Sequence, residues 1–173
     1  MDNDNITATD KNELFFDFKN TSNPDTKISD IFFDFTEWYN SQYKINKSVL
    51  VLRSMTDLSL SAVSTWEDGA RRDGLTLRLP MENSLFEQVI GNGKTFHALL
   101  SDDFSGNFFE KKLLLNNSTK SYILQPLKYK NDIIGLIGFS SDSTEIYSDD
   151  KKSIFSETSS KLAEIIQEKL INI

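Results

Sequence analysis

Residues 121 to 141 run SYILQPLKYKNDIIGLIGFSS, two arms apolar at nearly every position and folded about Lys130-Asn131-Asp132. A strand with polar residues at alternate positions faces water on one side, whereas one apolar throughout is covered on both. Any fold that contains this hairpin must therefore bring apolar cover to both faces of one sheet. The chain must find that cover within an apolar fraction of only 38%. Thirteen Phe, five Tyr and two Trp make it possible, because each ring buries a large area. At 173 residues the length suits one domain and a tail.

The formal net charge is −7, and the cationic residues form no cluster beyond isolated pairs such as Arg71-Arg72 and Lys111-Lys112. Such a chain repels phosphate backbones and anionic lipid, so neither nucleic acid nor membrane is expected as a partner. There is no cysteine, which removes disulfides, thiolate metal sites, thiol nucleophiles and thioether-linked chromophores together. The opening MDNDNITATDKNELFF is acidic where a secretory signal needs positive charge and an apolar run. A cytoplasmic location is expected.

Residues 1 to 27 are rich in Asn, Asp and Thr and are expected to form a flexible polar tail, with Asn23-Pro24-Asp25 as a turn signal. Inside it Phe15-Phe16-Asp17-Phe18 is echoed by Phe32-Phe33-Asp34-Phe35, too short a match for a structural repeat. The first copy is either chance in a Phe-rich chain or an aromatic strip that docks on the domain or on a partner. From Ser29 onward Ile31, Phe32, Phe35, Trp38 and Tyr39 recur at helical spacing. Ser48 to Met55 has a buried-strand pattern. Leu58 to Trp66 alternates at Leu58, Leu60 and Ala62 until Val63 breaks the pattern, with Trp66 beyond the break, which suggests a bend or bulge. Glu67 to Gly74 (EDGARRDG) is expected as a polar loop, followed by a short strand from Leu75 to Leu79.

Ser84-Leu85-Phe86-Glu87 has capping-box spacing, with Gly91 and Gly93 placed to end the helix it starts. Thr95 to Leu100 is expected as a strand, and Phe104, Phe108, Phe109 and Leu113 to Leu115 suggest a helical turn after it. Ser148-Asp149-Asp150 begins a last amphipathic helix through Phe155, Leu162, Ile166 and Leu170. Mainly antiparallel strands between a first and a last helix imply an α+β domain.

In this order and spacing, residues 28 to 171 resemble a GAF domain. The resemblance rests on Ser84 to Phe96 (SLFEQVIGNGKTF), Gln125-Pro126-Leu127, Ile133-Ile134-Gly135-Leu136-Ile137 and the closing helix from Phe155 to Leu170. It implies one GAF-like domain over 28–173, with a central antiparallel sheet of about six strands. Terminal helices would cover one face, and short helices and loops would form a pocket or lid on the other. Trp66, Arg78, Phe86, His97, Phe104, Tyr122 and Gln125 fall where the pocket of that family is lined. The alternative is that these aromatics fill the cavity as core.

The resemblance further implies a homodimer through the terminal helices, at Phe35, Trp38, Tyr39, Leu162, Ile165 and Ile166; the alternative is that both helical stripes are spent on their own sheet. A cysteine-linked bilin is impossible, the cysteine-dependent methionine sulfoxide reductases of this family are not expected, and the family's Asn-Lys-Phe-Asp-Glu cyclic-nucleotide signature is not found. His97, the single histidine, is a structural residue, a pocket donor or, by itself, an axial haem ligand. Glu67-Asp68, Asp102-Asp103 and Asp149-Asp150 read as turn or helix-end charges. No catalytic residue, metal or cofactor is assigned, and an enzyme is not expected. The function expected is a regulatory domain that senses a small molecule, dimerises and acts on a protein signalling partner. The alternative is a ligand-free scaffold that recruits its partner through the N-terminal aromatics or the domain surface.

Overall fold

The computed structural model describes residues 23–100, 104–144 and 152–171. The two apolar arms pair as β6 (Ser121–Tyr129) and β7 (Asp132–Ser141), closed by a tight turn in which Lys130 has a φ of 54°. β1 (Lys47–Arg53) pairs antiparallel with β7, and β2 (Leu60–Glu67) with β1. β3 (Ala70–Arg72) and β4 (Leu77–Arg78) both add to β2, and β5 (Phe96–Leu99) adds to the far side of β6. The order is β3-β2-β1-β7-β6-β5. β5 begins opposite Leu124, so Pro126 lies past its end, where a missing N–H breaks no ladder bond with that strand.

Around this sheet lie α1 (Ile28–Tyr43), α2 (Leu85–Asn92), α3 (Phe108–Leu114) and α4 (Lys152–Ile171). The hairpin is covered on both faces, as its composition requires. On one side Ile123, Leu127, Ile137 and Phe139 pack with Phe32, Phe35 and Tyr39 of α1 and with Phe155, Leu162 and Ile166 of α4. On the other, Leu124 and Leu136 join Val49 and Val51 under Phe86, Val89 and Ile90 of α2 and Leu114 of α3. Each large side chain buried this way contributes about 1.5–3 kcal/mol. The α+β class and the two-sided arrangement are those expected.

Two glycines of β7 allow close approach. A Cβ on Gly135 would collide with the Val51 carbonyl oxygen of the neighbouring strand β1, and one on Gly138 would lie 2.9 Å from Leu114 Cδ1 of the helix above it. Register shifts by one between Leu50 and Val51, leaving Val63 as an extra residue in β2. This is the bulge anticipated from the broken alternation.

Two expectations change. The EDGARRDG stretch is not simply a loop: Asp68 and Gly69 take φ of 48° and 91° and turn the chain into β3. Arg71 then donates from Nη2 to Glu37 Oε2 of α1 at 2.6 Å and lies over the Phe33 ring. The expected dimer residues Phe35, Tyr39, Leu162 and Ile166 are at most 1% exposed, packed into this chain's own sheet, so they offer no surface to a second copy. Trp38 and Ile165 are half-buried at the edge of the same cluster. The turn at Asn23-Pro24-Asp25 forms, with the Thr26 N–H donating to the Asn23 carbonyl. The Phe15–Phe18 strip and the Ser148-Asp149-Asp150 helix start lie outside the described residues.

Candidate functional site

The lid face, where a pocket was expected, is packed between α2, α3 and the sheet, and an opening of about 470 Å³ remains at the α2–β5 edge, lined by Val89, Asn92, Lys94, Thr95 and Phe96. Ser84 caps α2 by accepting from the Glu87 N–H, and Gly93 closes that helix in the left-handed region. α3 is bound to α2 through Glu110, which is fully buried. Its Oε1 accepts from the N–H groups of Leu85 and Asn107 at 2.8 and 3.1 Å, and its Oε2 accepts from Ser84 Oγ and the Phe86 N–H at 2.6 and 3.0 Å. A carboxylate thus sits on the positive end of α2 while completing the capping box of its own helix.

Of the seven expected pocket residues, three come together. Phe86 and Tyr122 belong to the lid-side core, and Phe104 meets Tyr122 edge-on at 5.4 Å. Phe96, which was not among the seven, packs on Tyr122 as well, at 6.0 Å. Burial raises the Tyr122 phenol above its ordinary range, against the lowering effect of a hydrogen bond with Ser105. The other four are elsewhere. Trp66 lies in the helix-side core, because the extra residue Val63 reverses the facing of all that follows it in β2.

Gln125 alternates with the lid-facing Leu124 and takes a hydrogen bond from Thr95 Oγ1. His97 is exposed on β5 on the side opposite Phe96 and Ala98, and partial burial lowers its pKa from 6.5. Arg78 is exposed and pairs with Asp57 at 3.4 Å. That Asp57 carboxyl is held down at about 2, chiefly by the hydroxyl and N–H of Ser59 and by Ser54.

An opening of ligand size lies on the other face. α1 and α4 touch where Tyr39 meets Phe155 at 4.9 Å. Towards the start of α1 and the end of α4 they part, leaving a cavity of about 820 Å³ that is bridged at its rim by Lys169 Nζ donating to the Asn23 carbonyl. Leu52 of β1, Val63 and Leu75 give it apolar walls, with Ile28 on the α1 side and Ile165 on the α4 side. Polar groups interrupt them at Thr26, Lys27, Ser29, Ser64, Glu168 and Lys169. An apolar body with a few polar groups, at a volume between roughly 300 and 1,000 Å³, is what small-molecule sites have. None of these residues was expected to line a pocket; Ile165 was expected at a dimer seam instead. The one available signal was Val63, whose bulge turns it towards the helix side.

No protein-family profile matches the sequence, and no curated protein matches it. Solved structures do. The GAF domain of a two-component sensor histidine kinase from Bacillus halodurans superposes with a TM-score of 0.63 at 20% identity, over 80% of this chain and 95% of that one. The GAF domain of the Acinetobacter phosphoenolpyruvate-protein phosphotransferase does so with a TM-score of 0.68 at 12% identity, over 96% and 99%. The chain has the GAF fold. A third GAF-fold neighbour is the free methionine-R-sulfoxide reductase of Neisseria meningitidis, solved with its substrate, at TM-score 0.66 and 12% identity over 90% and 86%.

That neighbour corrects the expectation that no enzyme is in view. The same fold carries catalysis in a protein as close in shape as the signalling domains, so the GAF fold gives no ground for excluding activity. Thiol chemistry alone is outside this chain's means, since it has no cysteine. Among the described residues, no helix is long and apolar enough to cross a membrane, and no group of three or more His, Asp or Glu is placed to hold a metal ion.

Proposed function

We propose that this chain is a regulatory GAF-like domain that binds a small amphipathic molecule between the open ends of α1 and α4. Occupancy is reported by the relative position of those two helices. The observation that carries the reading is the 820 Å³ cavity bounded by both terminal helices, larger and more apolar in its lining than the opening at the α2–β5 edge. A ligand wedged there touches both helices at once, and it shifts their arrangement to the extent that it binds one arrangement better than another. Lys27 and Lys169 at the rim can pair with the anionic end of an otherwise apolar molecule, with Glu168 and the Asp73 carboxylate that accepts from Ser29 Oγ standing beside them.

The test is a thermal-shift screen of small apolar acids against the protein and its Ile165→Trp variant, whose indole occupies the cavity. A ligand at about 100 times its Kd stabilises by about 2.7 kcal/mol, or roughly 5–10 °C for a chain of this size. The expected result is a set of compounds that raise the Tm of the native protein and leave the variant unmoved. Equal stabilisation of both proteins would place the ligand elsewhere and defeat the proposal.

A further inference from the structure

α3 is seven residues long, and two side chains fix its rotation. Glu110 points inward onto α2 and Leu114 into the lid-side core, both fully buried. At about 100° per residue, Phe108 and Lys112 then fall on the opposite, outward side of the helix, flanked by Phe109 and Lys111. Accordingly Phe108 is 65% and Phe109 54% exposed, with Lys111 and Lys112 exposed beside them. The two rings meet edge-on at 6.0 Å, and Lys112 Nζ lies 5.4 Å from the Phe108 ring centre. Asn107 Nδ2 ties the helix to the carbonyls of Pro80 and Glu82, which brings Met81, 56% exposed, to the edge of the same patch.

We propose that this outward face of α3 is a docking surface for a protein segment that presents apolar side chains next to acidic ones. Packing of α3 does not need either phenylalanine, since Glu110 and Leu114 anchor it. Adjacent exposed aromatics are the residue class that dominates binding at interface centres. The charge selects the partner. The only acid of α3 is buried on α2, so the exposed face carries two lysines with no carboxylate of its own, and Glu82 lies off to the Met81 side. A second copy docked about a two-fold axis would bring four lysines together, and an anionic bilayer would meet a chain of net charge −7. An acidic segment avoids the first penalty. Being short enough to lie within the patch, it faces mainly the two lysines, because the rest of the chain's charge is screened beyond about 8 Å at physiological salt. The surface is distinct from the cavity between α1 and α4, so this inference stands apart from that reading.

The test is to pan the intact protein against displayed random peptides and to measure the enriched sequence as a synthetic peptide. Enrichment of Asp or Glu beside Leu, Phe or Trp is expected, with affinity that falls as salt is raised. Phe108→Ser with Phe109→Ser, and separately Lys111→Glu with Lys112→Glu, should each weaken that peptide on the order of tenfold or more. The serine pair should not lower the Tm, as both rings are exposed, and the glutamate pair, in the last turn of α3, should lower it by no more than a few degrees. Amide shifts of the unmodified protein should map the peptide to α3, giving the same reading without a variant. The proposal is overturned by enriched peptides that are neutral or basic, by shifts that map to another face, or by binding that ignores both variants. Self-association lost with Phe108→Ser and Phe109→Ser, or capture by phosphatidylserine vesicles through this face, overturns it equally.

Discussion

Replacing Glu110 by alanine removes the acceptor that joins the two lid helices. Three backbone N–H groups, of Leu85, Phe86 and Asn107, lose their partner at once, together with the Ser84 hydroxyl. A hydrogen bond to a charged group is worth about 1.5–3 kcal/mol, but the hydroxyl can turn and water can enter the vacated space, so the expected total is about 3–5 kcal/mol. For a chain of this size that is a fall in Tm of roughly 6–20 °C. Glu110→Gln keeps the shape and one oxygen. Its NH₂ can be set towards Ser84 Oγ, which accepts, so one N–H is stranded and the loss is about 1–3 kcal/mol.

Chemical rescue separates hydrogen bonding from packing. The atoms lost in the alanine variant are a methylene and a carboxylate, which acetate reproduces. Acetate at about ten times its Kd should return about 1.4 kcal/mol to that variant while leaving the native protein unchanged. Circular-dichroism melts in acetate and in chloride at matched ionic strength are sufficient. A glutamine variant as stable as the native protein, or an alanine variant indifferent to acetate, would refute the view that a buried carboxylate holds the lid.

The two hairpin glycines should differ. Gly138→Ala meets the movable ends of Leu114, Leu124 and Val49 and should lose about 1–3 kcal/mol, whereas Gly135→Ala drives a Cβ onto the Val51 carbonyl of a central strand and should lose more, both read by urea unfolding. Equal losses would mean that β1 and β7 are not in this register. His97 supplies a single imidazole to follow by NMR, and its midpoint should lie below 6.5. The folded state then binds fewer protons than the unfolded one near that pH, so this group's contribution to stability is present above 6.5 and is lost as pH falls through the lowered midpoint. A midpoint at or above 6.5 would contradict the partial burial of the ring.

Much of the fold was legible because the hairpin is apolar on both faces, a pattern with few solutions. What sequence could not carry is instructive in Trp66. It has the same parity as Leu60 and Ala62, which face the lid, and the break at Val63 was visible, yet its consequence is that Trp66 faces the helices. Parity arguments hold only up to a bulge. The stripes of α1 and α4 were equally visible, but a stripe does not say whether a second copy or the chain's own sheet covers it, and here the sheet does.

Asp68-Gly69 is a strong tight-turn pair that polar neighbours disguised as loop. Asn107 and Glu110 stand at capping-box spacing, so the local half of Glu110's role could have been read. Its acceptance from Leu85 and Phe86 depends on where α2 ends up. The cavity between α1 and α4 depends on how two helices far apart in sequence diverge, and no local pattern encodes that.

The most direct test of the central claim is methyl NMR of the native protein titrated with small apolar acids. The expected result is that the methyls of Ile28, Leu52, Val63, Leu75 and Ile165 shift together, at one affinity. Shifts confined to Val49, Val51, Leu124 and Leu136 would contradict it, because they would show that ligands enter under the lid and not between the terminal helices.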